Sequence, residues 1–291
     1  MFYKSWFVKF YMCILGILFF SGCGLDEFYI LEAPSAEPHS NYSSSKGMTD
    51  DFTEWYFELK TNDIDNKDYW ASKKANFVYL GTEVLYRIYN NYNTIASHEG
   101  VIDSINTDDN YGAAASKLID TYGYKPLKMQ PDIDWSPFIP ESGKNQTVIF
   151  RLKTYQDSVA PELKAHIKID NKYLGYDSST NKIKKYMYND SNGTWIDEEN
   201  QNVDFNSIHF IIPYRTDGSH SFDFFDYNDT KSEVNIEPKS GDEDYEFSSS
   251  ASDDDAYYVK LYAVSKGRDA NYTNSYSLVV DLGTVPIKRS E

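Results

Sequence analysis

The sequence predicts a mainly β fold, a sandwich of packed sheets with a short helical insertion, and three observations carry that expectation. Aromatic residues make up 16% of the chain, and Tyr (26) outnumbers Phe (17) and Trp (5). Tyrosine suits a strand in which one side of the ring packs while the hydroxyl stays wet. Apolar and polar residues alternate with a period of two in segment after segment, so that each would bury one face. Turn chemistry separates these segments, most clearly at Asp217-Gly218 and at Asn189-Asp190-Ser191-Asn192-Gly193, whose residue types close hairpins.

The alternation begins at Phe52, where Trp55, Phe57 and Leu59 share one face and Glu54, Tyr56 and Glu58 the other. Further strands are expected at 77–89, 148–153, 165–169, 183–188, 208–214, 222–227, 257–264 and 276–282. In the last pair, Tyr257, Val259, Leu261 and Ala263 face one way, as do Tyr276, Leu278, Val280 and Leu282 after a polar loop containing Gly267. This predicts a terminal antiparallel hairpin. Helix is expected only between Tyr92 and Tyr124. Over 113–122, Ala114, Leu118 and Tyr122 recur every fourth residue, Asp109 or Asn110 can cap, and Gly123 stands where a terminating glycine belongs. A shorter helix is expected over 97–105, interrupted by Gly100. No fixed-period repeat is present, which turns the reading away from solenoids and propellers.

The segment Gly81-Thr82-Glu83-Val84-Leu85-Tyr86-Arg87 is similar to a strand of fibronectin type III domains. That resemblance implies an immunoglobulin-like sandwich in which the C-terminal hairpin supplies the last two strands.

The first residues differ in kind from the rest. Lys4 and Lys9, with no acidic residue, accompany an apolar run from Phe10 to Phe20, followed by the small residues Ser21 and Gly22. A cationic start, a short apolar stretch and small residues at the end describe a signal peptide over 1–22, and the run is about half the ~20 residues that a membrane-spanning helix needs. Phe20-Ser21-Gly22-Cys23 resembles the lipobox of bacterial lipoproteins, in the relaxed, spirochaete-type form that admits Phe three residues before the cysteine. The resemblance implies a diacylglycerol thioether on Cys23, cleavage before it, and a protein held by its lipid in the bacterial cell envelope, at the periplasmic face or the cell surface. Cys13 would leave with the leader, so no intramolecular disulfide could form and the core alone must hold the fold.

Residues 23–50 are rich in Ser, Pro, Asn and acidic residues and read as a flexible tether, with Phe28-Tyr29-Ile30-Leu31 able to pair as an edge strand. Residues 51–291 form the β-rich globular region, with a subdomain boundary expected near 140–146. The net charge of −17 argues against nucleic acid as a partner, because phosphate binding needs clustered Lys and Arg. The run of Lys182, Lys184 and Lys185 around Ile183 reads as a solvated strand face. The same charge opposes adsorption to anionic lipid, which leaves the acyl chains as the membrane attachment.

The search for chemistry yields little. His98-Glu99-Gly100-Val101-Ile102 begins like a zinc-protease helix but has Ile where the second imidazole must stand. The histidines at 39, 98, 166, 209 and 220 contain no helical metal-ligand pair, although His209 and His220 could face each other across Asp217-Gly218. There is no Gly-x-Ser-x-Gly elbow and no phosphate-cradling glycine loop. Hard oxygen ligands gather at 62–68, where Lys67 and Lys74 break the EF-hand pattern, and at Asp253-Asp254-Asp255, the candidate Ca²⁺ site; no other cofactor is expected. Trp55 belongs to the core, whereas Trp70 and Trp135, in polar or Pro-flanked stretches, are candidate ligand contacts. These features favour a binding or structural module facing a protein or polysaccharide partner. The alternative is a carboxylate-dependent glycan or peptide hydrolase, whose mark would be two carboxyls converging in a cleft, one of them partly buried and shifted in pKa.

Overall fold

The computed structural model describes residues 31–36, 40–41, 52–62, 77–130, 137–140, 142–155, 161–177, 182–189, 191–216, 220–224, 237–250, 256–269 and 271–288. Its principal strands, in chain order, are β1 (Phe57–Lys60), β2 (Val78–Tyr89), β3 (Thr147–Arg151), β4 (His166–Ile169), β5 (Lys172–Asp177), β6 (Lys182–Asn189), β7 (Thr194–Asp197), β8 (Asn202–Val203), β9 (Ala256–Arg268), β10 (Asn274–Tyr276) and β11 (Val280–Lys288). Two sheets of eight strands each are built from the described residues. In the central sheet β11, β9 and β2 lie side by side and antiparallel. Ser40–Asn41 adds in parallel beyond β11, and Tyr245–Glu246 adds in parallel beyond β2. The outer sheet runs β8-β7-β6-β5-β4-β3-β1, antiparallel throughout, with His209–Phe210 paired to β5.

The period-two pattern explains why these sheets stack. Val84, Tyr86 and Ile88 of β2, with Val259, Leu261 and Ala263 of β9, are buried against Phe57, Leu59, Val148, Phe150, Ile167 and Leu174 of the outer sheet. Fully burying one such side chain contributes roughly 1.5–3 kcal/mol. The intervening residues of the central sheet are buried too. Leu85, Tyr89, Tyr258, Tyr262 and Val264 pack under helix α1 (Tyr92–Ile105) through Ile95 and Ile102, and under the short helix α2 (Ala113–Ser116) through Ala114 and Ala115. The fold is therefore a β-sandwich with a short helical insertion laid over the free face of the central sheet.

Local chemistry sets the helix ends. The Asn91 side chain caps α1 by accepting from the Asn93 amide at 2.9 Å, so this helix starts five residues before the expected 97. The second helix is α-helical only over its first turn and continues as a π-turn over Lys117–Thr121. Its N-cap is Gly112 at φ +76°, with no side-chain cap, in place of Asp109 or Asn110. Gly123, at φ +66°, ends it as expected.

Several strand expectations need correction. Phe52–Glu54 is a 3₁₀ turn. The stretch 208–214 is divided between two sheets, because His209–Phe210 pairs with β5 while Ile212–Tyr214 pairs with Lys128–Gln130. Ser221 makes an isolated bridge to Tyr214 and 222–224 form no strand, while Asp217-Gly218 and 225–227 lie outside the described residues. The terminal hairpin is present, but its second strand does not keep one face. Leu282 is the extra residue opposite Leu261 and Tyr262, next to Gly283 at φ +104°, and the phase change buries Val279 instead of Leu278 and Val280.

From Leu31 onward the chain is one compact unit. Leu31 is fully buried, and Ser35 exchanges two backbone hydrogen bonds with Lys60. Near 140–146, Asn145 and Gln146 bond to Asn62 and Thr61 across the end of β1. Among the described residues no helix is long and apolar enough to cross a membrane.

Candidate functional site

Cys23, Trp70, Trp135, Asp253, Asp254 and Asp255 all lie outside the described residues. Trp55 is buried, and Trp195 is enclosed by Tyr173, Tyr188, Phe205 and Phe210, with ring centroids 5.0–5.8 Å away. His209 and His220 do not face each other. His209 stands opposite Tyr176 of β5, while the His220 carbonyl accepts from the Arg215 amide. No group of three metal-ligating side chains occurs among the described residues.

Polar chemistry instead concentrates on the helix-covered face of the central sheet. Lys260, in the middle of β9, has a side chain only 2% exposed. Its ammonium is shared between Glu99 of α1 and Asp281 of β11, the latter at 2.7 Å. Across the ladder Lys260 is in register with Arg87. Arg87 Nη1 donates to the Gly123 carbonyl at 2.7 Å, and Nη2 pairs with Glu246, while Nε has no acceptor. Further along, Lys266 pairs with Glu83. Three cations thus sit in a face that strand alternation makes polar and that the helices then cover.

Tyrosines and one histidine fill the space between them. Tyr89 Oη lies 3.1 Å from both Tyr124 Oη and His98 Nδ1. With Tyr89 donating to Tyr124, its oxygen accepts from His98, which assigns the ring proton to Nδ1. The His98 ring stacks on Tyr122 at 3.8 Å and 11°, an approach made available by the π-turn preceding Tyr122. Burial pushes the hydroxyls of Tyr89, Tyr124 and Tyr262 well above the usual phenol range. Burial also pushes the His98 imidazole below its ordinary value, with the Arg87 and Lys117 charges adding to the effect and Glu246 opposing it.

A second polar centre lies inside the sandwich. Arg215 grips Asp244 through Nε at 2.8 Å and Nη2 at 2.6 Å, and reaches Asp242 at 2.9 Å. Tyr86 Oη donates to Asp244 at 2.6 Å and accepts from the Thr216 amide at 2.7 Å. Burial opposes ionisation at Asp242, but the Lys239 amide and the Arg215 guanidinium outweigh it and hold the carboxyl below its usual range.

These arrangements clasp; they do not activate. A tyrosine with a raised pKa is no nucleophile at neutral pH, and a glycosidase acid needs a carboxyl shifted upwards beside an open position for substrate. Among the described residues, the carboxylate pairs Glu99 with Asp281 and Asp242 with Asp244 each close on a cation instead. Alternating sequence marks Lys260 and Arg87 as solvent-facing, so the pattern alone gives no signal that helices cover them. No family model, curated protein or solved structure matches this chain.

Proposed function

We propose that this protein is a bacterial envelope lipoprotein, held to a membrane by acyl chains on Cys23, whose β-sandwich serves as a binding or structural module without catalytic activity. The anchor rests on Lys4 and Lys9, the short apolar run and Ser21-Gly22-Cys23. The non-catalytic half rests on one observation: the buried charges of the described residues are spent on one another, Lys260 on Glu99 and Asp281, Arg215 on Asp242 and Asp244. A domain organised in this way offers a rigid surface and leaves recognition to what projects from it.

Metabolic labelling with palmitate tests the anchor. The intact chain should incorporate label and fractionate with membranes, and Cys23→Ala should lose the label and appear in the soluble fraction. Continued labelling of the Cys23→Ala protein would sink the proposal.

A further inference from the structure

Among the four arginines of the described residues, one lacks a carboxylate or carbonyl partner. Arg87 and Arg215 are paired with carboxylates, and Arg151 donates to the carbonyls of Trp55 and Thr53. Arg268, at the end of β9, has neither ion pair nor hydrogen bond through its guanidinium, although the sequence holds 45 acidic residues. Its guanidinium carbon lies instead 5.1 Å from the centre of the Tyr272 ring.

Tyr272 is unusual in its own right. It is 76% exposed, the most exposed of the large hydrophobic residues described. Its backbone is left-handed at φ +63°, a conformation that a bulky side chain adopts only when its surroundings enforce it. Asp269 does the enforcing. Its carboxylate accepts from the amides of Asn271 and Thr273 at 2.8 and 2.9 Å, and its own amide donates to the Thr273 carbonyl. The loop thereby holds an aromatic ring out in solvent with a guanidinium on its flank. Arg268 is in register with Asn274 on β10 and with Val78 on β2, and Val78 is 47% exposed. Asn274, Arg268 and Val78 therefore form a row across three strands, with the Tyr272 ring at its end and the exposed Asn271 side chain beside it.

We propose that this tip binds a carboxylated polysaccharide, a sugar face lying on Tyr272, its carboxylate in the Arg268 guanidinium, and its hydroxyls bonded to the asparagines. This rests on the binding-module reading above and names the ligand class for it. An unfilled guanidinium fork matches a carboxylate in two parallel hydrogen bonds. A single flat ring bordered by amides suits the C–H face and hydroxyls of a sugar better than a peptide, which needs pockets for successive side chains. The net charge of −17 repels dense polyanions over the whole surface, so the ligand must carry its charges sparsely, separated by neutral sugars.

Hyaluronan oligosaccharides have that spacing and serve as the probe, against full-length protein in detergent, with neutral chitin oligosaccharides and a polyglutamate peptide as comparisons. Hyaluronan should bind, with affinity falling as salt is raised. Arg268→Gln and Tyr272→Gly should each weaken binding about tenfold, whereas Tyr272→Phe should keep most of it. Tyr272→Gly also guards against misfolding as the explanation, because glycine adopts the left-handed backbone freely and this variant should melt no lower than the parent. Absence of hyaluronan binding, equal binding of polyglutamate, or affinity indifferent to both substitutions would overturn the inference. Chain length of the recovered hyaluronan separates the two proposals, since shortening of the bound polymer would instead refute the non-catalytic reading.

Discussion

Arg215 and Asp244 carry their charges into the sandwich, with side chains 4% and 8% exposed. At such depth an ion pair returns little net stability, because desolvation of both ions offsets their attraction, whereas removal of one partner leaves the other stranded. The pair is better understood as a register pin: through Tyr86 and Thr216 it fixes the loop before Tyr245 to the middle of β2. A buried histidine gives the cleaner test at this scale. His166 is 2% exposed, its Nδ1 2.6 Å from the Lys164 carbonyl, and burial, reinforced by the Lys168 and Arg151 charges, pushes its imidazole down to about 3 despite that bond. In the unfolded chain the same ring titrates near 6.5. The unfolded state therefore takes up the proton first. The stability linked to His166 is complete above pH 6.5 and is lost as pH falls towards 3, at up to about 1.4 kcal/mol per pH unit. His98, also lowered, works in the same direction. His166→Gln, which keeps an N–H donor but cannot titrate, should flatten the dependence of the urea midpoint on pH between 6 and 4. An unchanged slope would show that the imidazole is already charged in the fold.

Among the elements, α1 depends on its first residue more than the sequence suggests. Asn91 caps the helix with its side-chain oxygen and donates from Nδ2 to the Ser250 carbonyl at 2.8 Å, so one residue both starts the helix and ties down the loop leading towards β9. Asn91→Ala should destabilise the protein by about 1–2 kcal/mol, read as a lowered thermal midpoint, while Asn93→Ala, which removes an exposed side chain, should change little. This cap also shows where reading by pattern stops. Strands with one buried face, such as β2 and β9, were legible because alternation is a local signal. The start of α1 was not, because Asn90-Asn91 looks like a turn until the helix after it is known. Strand β7 was signalled by the turn at 189–193, which pairs it with β6, whereas β5 escaped because Gly175 dilutes the alternation; Gly175 is there since a Cβ would stand 2.4 Å from the Tyr186 ring. The phase slip in β11 turns on the single inserted residue Leu282. Of the candidate sites, the paired cations were missed for a physical reason: Lys260 and Arg87 occupy positions that alternation assigns to water, and only the tertiary arrangement supplies their cover.

At the scale of the molecule, the central sheet is buried on both faces, whereas the outer sheet is buried on one and covered on the other only by the aromatic cluster of Tyr173, Tyr186 and Trp195. Protection against hydrogen exchange should follow this layering. The amides of β2 and β9, between the sandwich core and the helices, should exchange last and together, close to the limit of global unfolding, while those of β7 and β8 at the far edge of the outer sheet should exchange first. Comparable protection at both places would mean that the sheets unfold as one unit. The placement of β9 has a further consequence. The strand that completes the centre of the sheet is Ala256–Arg268, and its partner is Val78–Tyr89, so the 166 residues from 90 to 255 must be made before the two can meet. Contacts this distant in sequence form slowly, and a ribosome still short of residue 256 carries a chain in which the edge of β2 that β9 will take is uncovered. For a protein that is to leave the cytoplasm in extended form, as a leader of the kind proposed on residues 1–22 would require, that lateness is an advantage: the architecture postpones its own completion, and the time before the last strands emerge is the time in which the chain can still be threaded through a narrow pore.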